Sequence, residues 1–241
     1  VVGTVQPIVA LSHITRQHGA LFHTDAVQAV GKIPLPMDSL PVDLLSLSAH
    51  KLHGPKGVGA LYVRRGVKIE PLIRGGGQEF GLRSATENVA GIVGLGKAAA
   101  IAHSEMTDET SHLISLRDRL ISGVIARIPN AYLVGHAYKR LPGHVCLGFA
   151  GQEGEAIRLM LLLNEKDIAV STGSACSAHH AGQPSYVLMA MGMNPVEARG
   201  SLRITLGRFN SESEVDIFLD VLPELTEQLR HVTSRSFVPA A

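Results

Sequence analysis

An α/β fold, with a parallel sheet flanked by helices and then a smaller α+β unit, is what this 241-residue sequence predicts. Three observations point there. Apolar runs of strand length alternate with helical patterns through residues 8–65. A long Ala-rich helical pattern follows at 87–106, and beyond it short strands mix with helices. Composition agrees, since 45% hydrophobic residues, 25 Gly and 4% aromatics without Trp suit a packed Ala/Gly/Leu-rich core and exclude a disordered chain.

In order, residues 8–18 read as a helix, 20–25 as a strand, 26–30 as a helix, and 42–50 and 59–65 as strands. Such alternation implies parallel strands with helices outside, and ligands then sit beyond the strands' C-terminal ends. Asp25 and His50-Lys51 both fall at such ends and can face one crevice. The helical pattern at 87–106 ends near Thr107-Asp108-Glu109, which divides the chain into a large domain, 1–106, and a small one, 107–241. Residues 111–128 then place Leu113, Leu116, Leu120, Val124 and Ile128 at helical spacing and stop at Pro129. Strands are predicted at 132–134, 144–150, 168–172 and 201–207, and helices at 155–163, 184–191 and 211–232. The last opens on a capping-box pattern, Ser211-x-x-Glu214.

Several classes are excluded. Lys plus Arg number 22 against 21 Asp plus Glu, so no basic field attracts nucleic acid or acidic lipid. The most apolar helical stretch, 91–102, carries Lys97, so no membrane span is expected. No signal-peptide pattern is present, and two cysteines make no disulfide framework. A reducing compartment such as the cytoplasm is expected. The opening Val1-Val2-Gly3-Thr4-Val5 reads like the middle of a domain, so the chain is expected to be part of a longer protein.

The chemistry concentrates in a few segments. Ser48-Ala49-His50-Lys51 places an amine where a hydroxyl, an imidazole and backbone can hold a phosphate, as a Schiff-base lysine needs; the bland alternative is a solvated strand flank. Gly54-Pro55-Lys56-Gly57-Val58-Gly59 is not a nucleotide phosphate loop, because it lacks a terminal Gly-Lys-Ser/Thr and precedes a strand. Asp25 either caps the following helix or faces a pyridine nitrogen and keeps it protonated. Gln28 either donates to a ring hydroxyl or faces water.

Cys176 lies among small residues, Ser171-Thr172-Gly173-Ser174-Ala175-Cys176-Ser177-Ala178-His179-His180, which favour an uncrowded, reactive sulfur over the alternative of a buried small hydrophobe. Cys146, between Val145 and Leu147, reads as a buried small hydrophobe. A metal on Cys176, His179 and His180 matches no closed zinc spacing, so no resident metal is expected. Arg203 either pairs with a local acid or offers its fork to a substrate carboxylate. Arg83-Ser84-Ala85-Thr86 leads into a helix whose N-terminus either binds an anion or is capped by Thr86.

Together these segments resemble the cysteine desulfurases, the class-V branch of fold-type-I pyridoxal-phosphate enzymes. The resemblance rests on residues 23–32 (His-Thr-Asp-Ala-Val-Gln-Ala-Val-Gly-Lys), on Ser48-Ala49-His50-Lys51 through Tyr62, on 75–79 with 83–86, on 171–176 and on 201–208, in family order. It implies that Lys51 carries pyridoxal 5'-phosphate covalently, that Asp25 pairs with its ring nitrogen and Gln28 with its ring hydroxyl, and that Ser48 and His50 hold the phosphate. Thr86 would reach the phosphate of the neighbouring subunit in a homodimer, Arg203 would bind the substrate carboxylate, and Cys176 would take up sulfur.

The implied reaction converts L-cysteine to L-alanine with a persulfide on Cys176. A sulfur acceptor or iron–sulfur scaffold protein then collects that sulfur, and Cys176 can serve as a transient iron–sulfur ligand. The Cys176 loop is also similar to that of selenocysteine lyases; an aminotransferase of the same fold needs no such thiol. The family carries a further N-terminal half with another phosphate-binding loop and a histidine that stacks on the cofactor. The resemblance therefore implies weak cofactor binding by these residues alone, and leaves a non-catalytic role in dimerisation or scaffold binding as the alternative. With a targeting segment on the longer protein, an organelle matrix replaces the cytoplasm.

Overall fold

The computed structural model describes residues 1–151, 155–172 and 183–235, with 231–235 as backbone alone. Its backbone forms two compact units, Gln6–Glu109, and Thr110–Ala241 together with Val1–Val5.

In the first unit, helix α1 (Ile8–Gln17) precedes strands β1 (His23–Asp25), β2 (Leu44–Ser48) and β3 (Gly59–Val63), which form a three-stranded sheet in that order. β1 and β2 are parallel, with His23 opposite Leu44 and Asp25 opposite Ser46. β3 departs from the all-parallel expectation and runs antiparallel to β2, pairing Leu44 with Val63 and Ser48 with Gly59. The reason is length. A parallel return needs a crossover of a dozen or more residues, and only residues 49–58 join these strands. The helix expected at 26–30 is also absent. Ala26 N–H extends the β1–β2 pairing to the Ser46 carbonyl at 3.0 Å, and consecutive turns follow up to Lys32. Gly31, at φ 71°, and the prolines at 34 and 36 leave too few residues to repay helix nucleation.

Asp43 anchors the other end of this sheet. Buried at 8% exposure, its carboxylate accepts the Phe22 N–H at 2.9 Å and faces Arg64 Nε at 3.7 Å. Arg64 also donates to the carbonyls of Val42 and Leu40 at 2.8 and 2.6 Å. Ala26, Leu40, Val42 and Leu45 make the local core.

Helix α2 (Val89–Arg127) is one continuous helix of 39 residues where the sequence predicts two. Thr107 and Asp108 are exposed, and neither is Gly or Pro, so nothing there interrupts the hydrogen-bond ladder. Asn88 caps its start, with Oδ1 accepting the Gly91 N–H at 3.1 Å, so Thr86 is not the cap.

The second unit has an antiparallel sheet in the order β4–β5–β7–β6, from β4 (Ala131–Leu133), β5 (His144–Phe149), β6 (Ser171–Thr172) and β7 (Leu202–Thr205). One face packs on the C-terminal half of α2, on α3 (Ala156–Asn164) and on α6 (Glu212–Arg235), with Leu116, Leu120, Val145, Leu147, Leu202 and Leu222 all at 1% exposure or less. The predicted capping box is in place, Glu214 Oε2 accepting the Ser211 N–H at 2.8 Å and Ser211 Oγ accepting the Glu214 N–H at 3.3 Å. Helix α4 (Tyr186–Ala190) falls inside its predicted range, whereas α5 (Pro195–Arg199) was not anticipated. Its signal was legible, however. Asn194 caps, Pro195 takes the first helical position, and Glu197 returns a 2.8 Å bond to the Asn194 N–H.

Candidate active site

Period-two alternation sets the site's first side. Along the parallel pair, His23 and Asp25 share one face with Ser46 and Ser48, while Leu45, 3% exposed, belongs to the core on the other. His23 Nε2 lies 2.8 Å from Ser46 Oγ, and Ser48 Oγ lies 2.7 Å from His50 Nδ1. Two imidazole–hydroxyl pairs thus line this face. No motif assigns His23 or Ser46 a role, although the alternation in Leu44-Leu45-Ser46-Leu47-Ser48 marks the serines as neighbours on one face.

Beyond Ser48 the chain enters a single 3₁₀ turn, Ala49–Leu52, ended by His53 in the left-handed region at φ 61°. Gly54 N–H closes it onto the Ala49 carbonyl at 2.9 Å, and Ala49 N–H reaches the Val58 carbonyl at 3.1 Å. Lys51 is half-buried in this turn, and His50 is exposed. Asp25 lies at the same end of the sheet and accepts the Val27 N–H on Oδ1 at 2.9 Å. Its capping role is therefore real, but it caps a turn. Gln28 stands exposed in that turn. A second amine, Lys32, is pulled below its ordinary pKa by burial first, with the Lys51 ammonium acting in the same direction and Glu109 opposing. Thr86 is exposed, its carbonyl 3.4 Å from Arg83 Nη1.

Arg203 belongs to the second unit. It stands on β7 opposite Cys146 on one side and Ser171 on the other. Its Nη2 donates to Ser171 Oγ at 2.8 Å, and its buried Nε has no partner among the described residues. Among the described residues no acid satisfies it, which leaves a guanidinium edge suited to an anionic ligand. Cys146 is fully buried, and burial pushes its thiol up to about 11, as its hydrophobic neighbours led one to expect. Cys176, His179 and His180 lie outside the described residues. Among the described residues no cluster of His, Cys, Asp or Glu is arranged to hold a metal, and no helix is long and apolar enough to cross a membrane. A cavity of about 410 Å³ bounded by Lys166, Ile168, Thr205, Glu214 and Phe218 includes none of the predicted site residues.

The parallel pair thus ends in hydroxyl, imidazole, amine and carboxylate groups. The family model described as aminotransferase class-V matches residues 1–218, and the chain belongs to that family, whose members are pyridoxal-phosphate enzymes. Its sequence is 49% identical over 231 residues to a cysteine desulfurase of Gluconacetobacter diazotrophicus, covering 96% of this chain and 57% of that protein. It is likewise 49% identical to the cysteine desulfurase IscS of Methanosarcina thermophila, covering 96% and 56%. Among solved structures, a NifS-like protein superposes with a TM-score of 0.82 at 41% identity, over 94% of this chain and 58% of that one. A NifS-like protein from Rickettsia africae gives 0.84 at 30% identity, over 94% and 59%. The fold is thus that of the fold-type-I pyridoxal-phosphate enzymes, and the chain spans little more than half the length of these relatives.

The donor set fits the family's cofactor. Pyridoxal phosphate presents a phosphate, an aldehyde and a basic ring nitrogen, and these call for hydrogen-bond donors, an amine and a carboxylate. The Ser48–His50 pair, Lys51 and Asp25 supply them at one end of one sheet.

Proposed function

We propose that this chain carries the lysine and the acceptor thiol of a cysteine desulfurase, which removes sulfur from L-cysteine and leaves L-alanine. The observation that carries this reading is the Ser48–His50 pair, Lys51 and Asp25 at one end of the parallel β1–β2 pair, in a chain 49% identical to cysteine desulfurases. Pyridoxal phosphate held through Lys51 would supply an electron sink at the substrate's α-carbon. Ser48 Oγ and His50 would donate to its phosphate, Asp25 would keep its ring nitrogen protonated, and Gln28 would donate to its ring hydroxyl. Thr86 would serve the phosphate of the second subunit in a homodimer.

Lys51 Nζ would take the α-proton of the substrate and return it. Arg203 holds the substrate carboxylate through its guanidinium edge. The Cys176 thiolate attacks the substrate sulfur: an S–S bond forms, the Cβ–S bond breaks with its electron pair left on carbon, and a proton fills the vacated position. The products are L-alanine and a persulfide on Cys176, with no external oxidant or reductant. A sulfur-acceptor or iron–sulfur scaffold protein collects the sulfur, in the cytoplasm or an organelle matrix, and Cys176 would act there as a transient cluster ligand.

The test is Cys176→Ala in the longest natural form of the protein. Persulfide labelling and alanine release should both vanish, while Lys51 still reacts with pyridoxal phosphate and can be trapped by borohydride. Full cysteine turnover in that variant overturns the assignment. Faster turnover of selenocysteine than of cysteine by the wild type moves it to a selenocysteine lyase.

A further inference from the structure

The turn that carries Lys51 rests on α2 with almost no clearance. Gly94, Ala98 and Ala102 recur every four residues along that helix and so share one face. A β-carbon built on Gly94 would stand 2.5 Å from Cγ of Pro55 and 2.9 Å from its Cδ. One built on Gly54 would stand 3.0 Å from Ala98 Cβ and 3.1 Å from the Ala49 carbonyl oxygen. One built on Gly31 would stand 2.7 Å from Leu52 Cδ2 and 2.9 Å from Ala102 Cβ. Every one of these contacts falls on the Ala49–Pro55 segment that encloses Lys51, or on the helix face beneath it.

Pro55 makes the arrangement stiff. Its ring is bonded to its own backbone nitrogen, so it cannot swing aside as a flexible side chain would. Relieving an approach of 2.5 Å therefore moves backbone at 54–55, and this backbone carries the Gly54 N–H that closes the turn onto Ala49. Gly96, on the same helix, has nothing within 4 Å of a built β-carbon. Alanine is the better helix former at either position, so helix propensity does not account for glycine at 94.

We propose that Gly94, Ala98 and Gly31 are positioning residues for Lys51, fixing where its amine stands at the end of β2. This rests on the reading of Lys51 as the cofactor lysine. The full chain is compared as wild type, Gly94→Ala, Gly96→Ala and the double variant Gly94→Ala with Pro55→Ala. Each is incubated with pyridoxal 5'-phosphate, reduced with borohydride and mapped by peptide mass for the pyridoxyl group on Lys51, alongside hydrogen exchange of the Gly54 amide.

Gly94→Ala is expected to lower Lys51 modification by about tenfold, since displacements near 1 Å have effects of that order or larger, and to speed Gly54 exchange. Gly96→Ala should match wild type, and removing the Pro55 ring should restore modification to within about twofold, the non-additivity of a direct contact. Ala98→Ser, which presses on Gly54 instead, replaces Gly94→Ala should the latter not fold, and is expected to act in the same direction. Equal modification in the 94 and 96 variants, or no rescue by Pro55→Ala, overturns the proposal while leaving Lys51 its role. If wild-type Lys51 is modified no more than the exposed Lys56 and Lys68, its role as cofactor lysine fails and the positioning inference falls with it.

Discussion

Acid should loosen the second unit through one histidine. His144 is half-buried at the start of β5, its Nε2 2.8 Å from the Val1 carbonyl oxygen. Gly3 lies against its ring so closely that an added β-carbon would stand 2.8 Å away. Burial is the main reason its pKa falls from 6.5 to about 4; Arg203 and Arg140 push the same way, and the Val1 carbonyl opposes. The unfolded chain thus binds this proton more readily than the folded one. The stabilisation is fully present above pH 6.5, drains away as the pH falls, and is gone below about 4. A depression from 6.5 to about 4 corresponds to roughly 3 kcal/mol at full extent, and residual solvent contact reduces that to about 2 kcal/mol. Urea unfolding of wild type and His144→Gln at several pH values between 7 and 4 isolates the effect. The stability difference between the two should shrink by about 2 kcal/mol on acidification. A difference that stays constant, or an imidazole that titrates near 6.5 by NMR, refutes the reasoning.

Three further outcomes are expected. Arg140, 4% exposed, donates to the carbonyls of His136, His144 and Val134 at 2.8, 3.2 and 2.9 Å. Arg140→Met should therefore lower the urea-unfolding free energy by about 3 kcal/mol or more, and Arg140→Lys should recover little, because an ammonium lacks the fork. Asn194→Ala removes an oxygen that accepts from Val196 and Glu197 N–H, and should destabilise by about 1 kcal/mol in the same measurement. Cys146, with its thiol pushed up to about 11, should resist iodoacetamide at pH 8 in the folded chain and react only on unfolding. Labelling of folded Cys146 at the unfolded rate would contradict its burial.

Much of this was legible because it depends on local chemistry. Ser48 and His50 are two residues apart at a strand end, and Ser211 and Glu214 fit a capping box, so neighbours in sequence became neighbours in space. The parallel β1–β2 register that puts Asp25 at the same end of the sheet as Ser48 was readable from the alternation of patterns. The errors came where connection length or exposure decides. The hand of β3 depended on how few residues join it to β2, and the unbroken α2 on polar residues facing solvent instead of ending the helix. Clearance was beyond any pattern: nothing in the letters around Gly94 says that Pro55 lies against it. The Asn194-Pro195-Val196-Glu197 signal is local and legible, although α5 has too few residues to show an apolar period.

Strand β3 returns directly alongside β2, so the frame of the reactive amine is a hairpin over Leu44–Val63. A hairpin zips from contacts close along the chain, and its formation is fast, on the order of microseconds. The surface of α2 that seats this hairpin comes some forty positions later in the chain. During synthesis, then, the frame leaves the ribosome before the helix against which it packs.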